Sequence, residues 1–555
     1  MAAVRACELG LRAIVLERGT GGAYPCNSRY SGGIVHLAFH DPHRPPEELA
    51  SVIKRVTEGD ADTKLALALA QSGRQMIDWL QQHGVRFMRF NPQEGYRWCM
   101  APPRSLRAGM DWKGRGPDVV LHLLEERLHR LGGTLKRGAE VVSLRMQDGR
   151  CVGAVSKGAD GMTEWTAACV LLADGGFQAD RDLYQRYIGP HFDRVFQRGA
   201  RTGTGAGLRM ALEAGAALTG TDRFYGHLLC RDALHNDNVW PYPELDAIAT
   251  AGIVVDGNGI RVADEGRGGV FLTNALAAYA YDGPLFTIFD AAIWEQPGRT
   301  ARIPANPLLE EAGGTVVRAE SITELAEKIG VPASELEQTV SAYNAALAAG
   351  RLGELPIPRS SAVKPWPIVQ APFMAIPVCP GITYTMGGIV IDERSQVLRE
   401  SGEPIPGLLA AGATTGGLEG GRNAAYLGGL LKAGTFGLIA AERAAELVAA
   451  TGSSREALRQ SPGPVAAPLP PPATPPAGSL SGFPALKLIS RYGVPGSLGL
   501  GVIVAILVVW LGWTFFGGLA IPVAAIAGGL AALIGVSYTE LIRLITEFLM
   551  PASEP

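Results

Sequence analysis

The chain has 555 residues, of which 47% are hydrophobic and 71 are glycine, enough for a large core and more than one domain. A formal net charge of −3, with no basic patch interleaved with aromatics, excludes long-range attraction for nucleic acid. Seven cysteines without a CxxC pair fit reduced, mostly buried thiols, and nine histidines without zinc spacing give no reason to expect a metal.

In chain order, 1–10 reads as a helix, 12–16 as a buried strand, and Glu17 as an acidic residue at that strand's end. This is the second half of a Rossmann βαβ unit, whose terminal carboxylate binds ribose hydroxyls. A surface charge at a strand end is the alternative for Glu17. The preceding strand and GxGxxG turn are not in the sequence, so a true or ancestral start about 15 residues upstream is expected. Helical periodicity covers 46–85 and 117–131, flanking a loop with Trp98, Trp112, Gly114 and Gly116. Segments 139–145, 150–156 and 163–169 read as a β-meander, with "QDG" supplying a tight turn. "CVLLADGGF" then closes the nucleotide-binding half. From about Asp222 to Thr383 the strand–helix alternation is lost, as in an inserted α+β domain.

The stretch from Pro380 to Gly437 combines a hairpin (387–398), a "PGLLAAGATTGG" strand and turn, and a glycine-opened helix. Glycines between strand and helix let backbone N–H groups approach a planar or anionic ligand, and the helix N-terminus favours negative charge. The same glycines also suit plain strand-to-helix packing. Beyond 450, a proline-rich linker (451–490) leads to two uncharged apolar segments (497–536) and an amphipathic tail (537–555). Lys487, Arg491 and Arg543 flank the apolar pair. The positive-inside rule then predicts a transmembrane helical hairpin with both ends in the cytoplasm, in contact with membrane lipid, and a packed core hairpin is the alternative.

"TMGG" (385–388), "PGLLAAGATTGG" (406–417) and "GGRNAAYLGG" (420–429) resemble the C-terminal flavin motifs of the fumarate reductase and succinate dehydrogenase flavoprotein family. The tricarballylate dehydrogenase-like branch is nearest, and the resemblance runs in order from Met1 to about Leu447. It implies an α/β fold: a Rossmann-like FAD-binding domain in two parts (1–222 and 384–450), interrupted by a mobile cap (223–383) that closes over substrate. Arg29 and Tyr30 stand where some relatives carry a flavin-bonding histidine, which implies non-covalent FAD. The implied cofactor contacts are Glu17, Gly21, Gly22, Asn27, Ser28, Ser31, Gly32 and Gly33 in the first part. Gly175, Gly176, Gly412, Glu419, Asn423 and Gly428 complete the set. Asp174 departs from the usual Thr or Ser, and Ala206 replaces the acid of a "TGDG" turn.

The implied reaction is dehydrogenation or reduction of a C–C bond next to a carboxylate in a small (poly)carboxylic acid. It needs hydride transfer at the flavin, a proton donor or base on the opposite face, and cations that hold the carboxylate. Arg422 is the expected clamp, since a guanidinium offers a planar bidentate fit, with a surface salt bridge as the alternative. His227 stands where relatives place a carboxylate-binding histidine. Tyr384 stands where fumarate reductases have a histidine; it is either a donor, a base if a nearby arginine lowers its pKa, or a buried strand tyrosine. Arg267 is the expected substitute for the proton-donating arginine whose space Gly268 and Gly269 occupy, while Arg261 and Glu265 brace the cap. A quinone or membrane redox protein is the expected electron partner, with the chain held at the cytoplasmic face. Two rivals stand beside this reading: a 3-ketosteroid dehydrogenase-like flavoprotein, marked by an apolar pocket without Arg422, and a non-catalytic membrane-anchored remnant that binds no flavin.

Overall fold

The N-terminal helix Ala2–Glu8 buries Val4 and packs on the helix Gly429–Ala450, where Arg5 pairs with Glu442 at 2.9 Å. The computed structural model that shows this describes residues 1–105, 109–301 and 303–450. The helix feeds strand Ile14–Glu17, which pairs in parallel with Thr134–Arg137 and sets Glu17 opposite Arg137. A second parallel pair, Val170–Leu172 with Pro404–Ala410, is extended by antiparallel Gln396–Leu398. Among the described residues Ile14–Glu17 and Val170–Leu172 each have one strand neighbour, so the parallel strands form two small sheets, each with an unpaired edge.

The expected helix over 46–85 divides into Pro46–Val56 and Thr63–Gln82. The break lies where Glu58 (φ +52°) and Gly59 (φ +84°) turn the chain left-handed. Asp62 then caps the second helix by accepting from the backbone N–H groups of Lys64 and Leu65, both at 2.9 Å. That helix buries Leu65, Leu69, Met76 and Leu80 in a core shared with Leu431 and Phe436 of Gly429–Ala450. The meander is Glu140–Gln147, Arg150–Gly158 and Gly161–Thr166. Its third strand starts earlier than expected because Gly161 (φ +102°) permits a turn of only two residues after Gly158.

A second core forms in the inserted region around the strand Phe373–Thr385. This strand pairs antiparallel with Phe224–Cys230, Leu285–Asp290 and Val317–Ala319, and it is buried along almost its whole length. Its C-terminal end keeps Tyr384 in this sheet, opposite Tyr225. Arg261 and Glu265 form the buried brace that the resemblance implies, at 2.7 Å, and Glu265 also accepts from the Val254 N–H at 3.0 Å.

The expected membrane placement is corrected. Among the described residues no helix is long and apolar enough to cross a membrane. The longest, Gly429–Ala450, carries Lys432, Glu442, Arg443 and Glu446, whose desolvation opposes insertion. The linker, the 497–536 hairpin and the tail lie outside the described residues, so the membrane anchor on the cytoplasmic face has no structural support.

Near the first glycine loop, Arg29 on the helix Asn27–Tyr30 is fully buried against Asp118 of Gly116–Arg130 and lies over the Tyr24 ring at 4.8 Å. Arg29→Ala leaves Asp118 buried without its cation, so denaturant unfolding should show a loss of about 3–5 kcal/mol. A loss below ~1 kcal/mol would mean that the pair does not hold this loop to the helix.

Candidate active site

The glycines of the expected cofactor cleft divide into two kinds. A Cβ at Gly21, Gly22 or Gly175 would meet nothing within 4 Å, so these backbones border open space. A Cβ at Gly176 would run into the Thr385 hydroxyl, and one at Gly428 (φ +126°) into the His36 carbonyl. A Cβ at Gly33 (φ +73°) would come within 3.0 Å of Pro117. The second kind is needed for close packing and the first is free to face a ligand. A Cβ at Gly32 would have only the Ile34 side chain near, at 3.9 Å, and one at Gly412 (φ +84°), where the chain turns after Pro404–Ala410, would lie 3.5 Å from Ala433.

Glu17 accepts from the Gly19 N–H at 2.6 Å through Oε1, and no described residue hydrogen-bonds its Oε2. That oxygen lies at the end of a parallel strand, where a ribose hydroxyl can donate to it. The Ser31 hydroxyl donates to the Ser28 carbonyl at 2.8 Å and accepts from the Gly33 N–H at 3.3 Å, which shapes the loop; Ser28 itself is exposed. The Asn27 side chain is engaged within the protein. Its Nδ2 donates to the Thr383 carbonyl at 2.9 Å and its Oδ1 accepts from the Ala200 N–H at 2.8 Å, so the carboxamide ties three segments together.

Glu419 is likewise engaged within the protein. Its carboxylate is buried and accepts from the Tyr384 hydroxyl (3.0 Å) and from the N–H groups of Leu427 (3.0 Å) and Gly428 (3.2 Å), while Lys432 Nζ stands at 2.7 Å. Burial and the neighbouring Glu419 charge push the Tyr384 hydroxyl well above the usual tyrosine range. Of the alternatives for Tyr384, the donor and the buried strand tyrosine fit this setting, since the hydroxyl donates to Glu419.

His227 on Phe224–Cys230 is held from both sides: Nδ1 lies 2.7 Å from Asp246 and Nε2 2.9 Å from the Tyr225 hydroxyl. Tyr225 stacks on Tyr426 with ring centroids 3.9 Å apart and lies 5.6 Å from Tyr384. The structure thus brings Tyr384 and His227 together with two tyrosines that sequence reasoning missed. Tyr225 was legible, because alternate residues of a strand share a face and Tyr225 precedes His227 by two.

Arg422 is outside this group. Its side chain is 71% exposed and pairs with Asp60 at 3.2 Å, while its backbone N–H donates to the same carboxylate at 2.8 Å. The surface salt bridge is the reading the structure supports. Arg267 lies 4.0 Å over the Phe271 ring, donates to the Arg422 carbonyl at 3.0 Å and also bonds the Asn423 carboxamide. It therefore joins the inserted region to the 420–423 loop, and Asn423 is drawn into that clasp.

The open glycine edges and the available carboxylate oxygen of Glu17 suit a dinucleotide. The family of FAD binding domains matches residues 1–426. The chain belongs to that family. Its cofactor is FAD, and among its relatives are fumarate reductases. It is 30% identical over 401 residues to an NADH:acrylate oxidoreductase of Vibrio harveyi, covering 69% of this chain and 37% of that protein. A probable fumarate reductase of Shewanella frigidimarina is 28% identical, covering 69% of this chain and 62% of its own. The chain thus spans between about a third and two thirds of these two relatives' lengths. Two solved structures share the fold: the open conformation of a flavocytochrome c3 fumarate reductase and a 3-ketosteroid-delta4-(5alpha)-dehydrogenase from Rhodococcus jostii. The first has a TM-score of 0.58 at 24% identity over 80% of this chain and 76% of its own. The second has a TM-score of 0.60 at 23% identity over 80% and 94%.

Glu17→Ala removes one charge-assisted acceptor without touching the core. FAD affinity, followed by quenching of flavin fluorescence, should fall about tenfold, equivalent to ~1.4 kcal/mol, with an unchanged circular dichroism spectrum. An unchanged affinity would take Glu17 out of the cofactor site.

Proposed function

We propose that the chain is an FAD-dependent oxidoreductase that adds or removes two hydrogens across a C–C bond next to the carboxylate of a small acid. The observation that carries this is the set of hydroxyl and imidazole donors (Tyr225, Tyr384, His227) gathered beside the glycine-rich 416–429 segment of a flavin-binding fold. FAD, when bound, supplies or accepts the hydride. The chain's own residues orient the substrate and handle the proton. The Tyr225–His227 pair handles the proton, and the Arg267–Asn423 clasp joins the inserted region to the 420–423 loop. Likeness to an acrylate oxidoreductase and a fumarate reductase supports an unsaturated acid or its saturated counterpart. The branch-level resemblance makes polycarboxylates such as tricarballylate the first set to examine, and a quinone or a redox protein fits as the electron partner.

A second reading, a neutral unsaturated ketone, is favoured by one observation. Three cations of the region are already paired: Arg422 with Asp60, Arg198 with Glu244 at 2.6 Å, and Lys432 with Glu419. In this reading the tyrosine hydroxyls hold a carbonyl oxygen in place of a carboxylate.

Chemically reduced, FAD-loaded protein mixed anaerobically with acrylate, fumarate or cyclohex-2-enone separates the two. Flavin absorbance should recover at least tenfold faster with one of the acids than with the ketone. The reverse order selects the ketone reading, and no recovery with any of the three contradicts the proposed reaction.

A further inference from the structure

The polar groups around His227 form a chain of successive contacts. Asp246 is fixed first: its Oδ1 accepts from the Leu228 N–H at 2.8 Å and its Oδ2 stands 2.7 Å from His227 Nδ1. The space for this carboxylate exists because residue 269 is a glycine, where any Cβ would collide with Asp246. With Nδ1–H donating to Asp246, Nε2 of the neutral imidazole is an acceptor and takes the Tyr225 O–H at 2.9 Å. Glu244 lies 3.6 Å from Nε2 on the same side, itself paired with Arg198. Tyr384 has no such freedom, since its hydroxyl is held by both oxygens of Glu419 at 3.0 and 3.1 Å.

From this geometry we infer that Tyr225 is the proton-transferring residue of the reaction, with His227 and Asp246 as the positioning residues that recharge it. The inference rests on the proposed C–C oxidoreductase reading. In the reducing direction one substrate carbon takes a hydride from reduced FAD, so two electrons leave the cofactor. The Tyr225 O–H bond breaks as its proton forms a C–H bond at the adjacent carbon. For this step solvent first protonates Nε2 of the neutral ring, which frees the Tyr225 O–H to turn to substrate, and that Nε2 proton then passes to the Tyr225 oxygen, leaving neutral His227. Asp246 stays ionised throughout and balances the imidazolium, as an orienting carboxylate does in other acid–base relays. Solvent returns the lost proton to Nε2 on the side where Glu244 lies. In the oxidising direction each bond change is reversed. The stack on Tyr426 keeps the Tyr225 ring in one orientation through this exchange.

The test uses the full FAD-loaded chain and has two independent readouts. With acrylate as the probe, Tyr225→Phe should slow reoxidation of the reduced flavin at least 100-fold while the probe concentration at half-maximal rate changes less than threefold. His227→Gln should give a similar loss, and Gly269→Ala, which displaces Asp246, a smaller one of about tenfold. Flavin content and absorbance spectrum should be those of the parent protein in every variant. A Tyr225→Phe rate within threefold of the parent's overturns the inference and leaves the proposed reaction standing, whereas an inactive parent overturns the proposed reaction. The second readout needs no turnover. In ¹⁵N NMR of the histidines, with His227→Gln supplying the assignment, the neutral His227 ring should carry its proton on Nδ1 and lose that preference in Asp246→Asn. A proton on Nε2 in the parent protein overturns the relay whatever the kinetics show.

Discussion

The site depends on one buried carboxylate. Glu419 sits within hydrogen-bonding or ion-pair distance of the Tyr384 hydroxyl, two successive backbone N–H groups and the Lys432 ammonium, and both members of the ion pair are at most 1% exposed at their side chains. An isolated charge there would cost several kcal/mol, so the carboxylate is tolerable only with these partners in place. Meeting that demand fixes the path of the 419–429 loop, the start of the helix Gly429–Ala450 and the orientation of the strand that ends at Tyr384. The glycines of the loop follow as a consequence: with φ of +95°, +65° and +126° at Gly420, Gly421 and Gly428, the chain can double back on Glu419.

Besides the Tyr225–Tyr426 stack at 3.9 Å and the Arg223 bond to the Gly421 carbonyl at 3.1 Å, two links tie this loop to the inserted region. One is covalent continuity through the strand Phe373–Thr385, which belongs to the cap sheet over most of its length and reaches the site at its end. The other is the clasp of Arg267 on Asn423 and on the Arg422 carbonyl. The first is rigid and the second consists of a few hydrogen bonds at a partly exposed edge. Opening of the site is therefore expected at the clasp and not at the strand.

Features set by local chemistry were legible in the sequence. Glu17 stands at the end of its parallel strand, the meander has its tight turns, and the "TMGG" and "AAG" motifs border the flavin fold. What was not legible depended on partners distant in the chain. Arg422 in a glycine loop reads as a ligand clamp until Asp60, 362 residues away, is seen to hold it. Asn27 and Glu419 read as cofactor contacts from their places in the family's segments, while in the structure Thr383, Ala200, Lys432 and Tyr384 engage their side-chain polar atoms. The split of the 46–85 helix was missed because its periodicity continues across a left-handed Glu58–Gly59 turn. Tyr225 was overlooked for a different reason: attention to histidine and arginine passed over a tyrosine on the same strand face.

The central claim is that the tyrosine–histidine cluster is the reacting end of a flavin site. A crystal structure of the FAD-loaded protein tests this most directly. It should show the adenosine ribose at Glu17 and the flavin ring between Gly175 and the 412–428 segment, with its reactive edge toward the Tyr225 hydroxyl. A flavin ring whose reactive edge faces away from Tyr225 and His227, toward Arg422 and Asp60, would contradict the account.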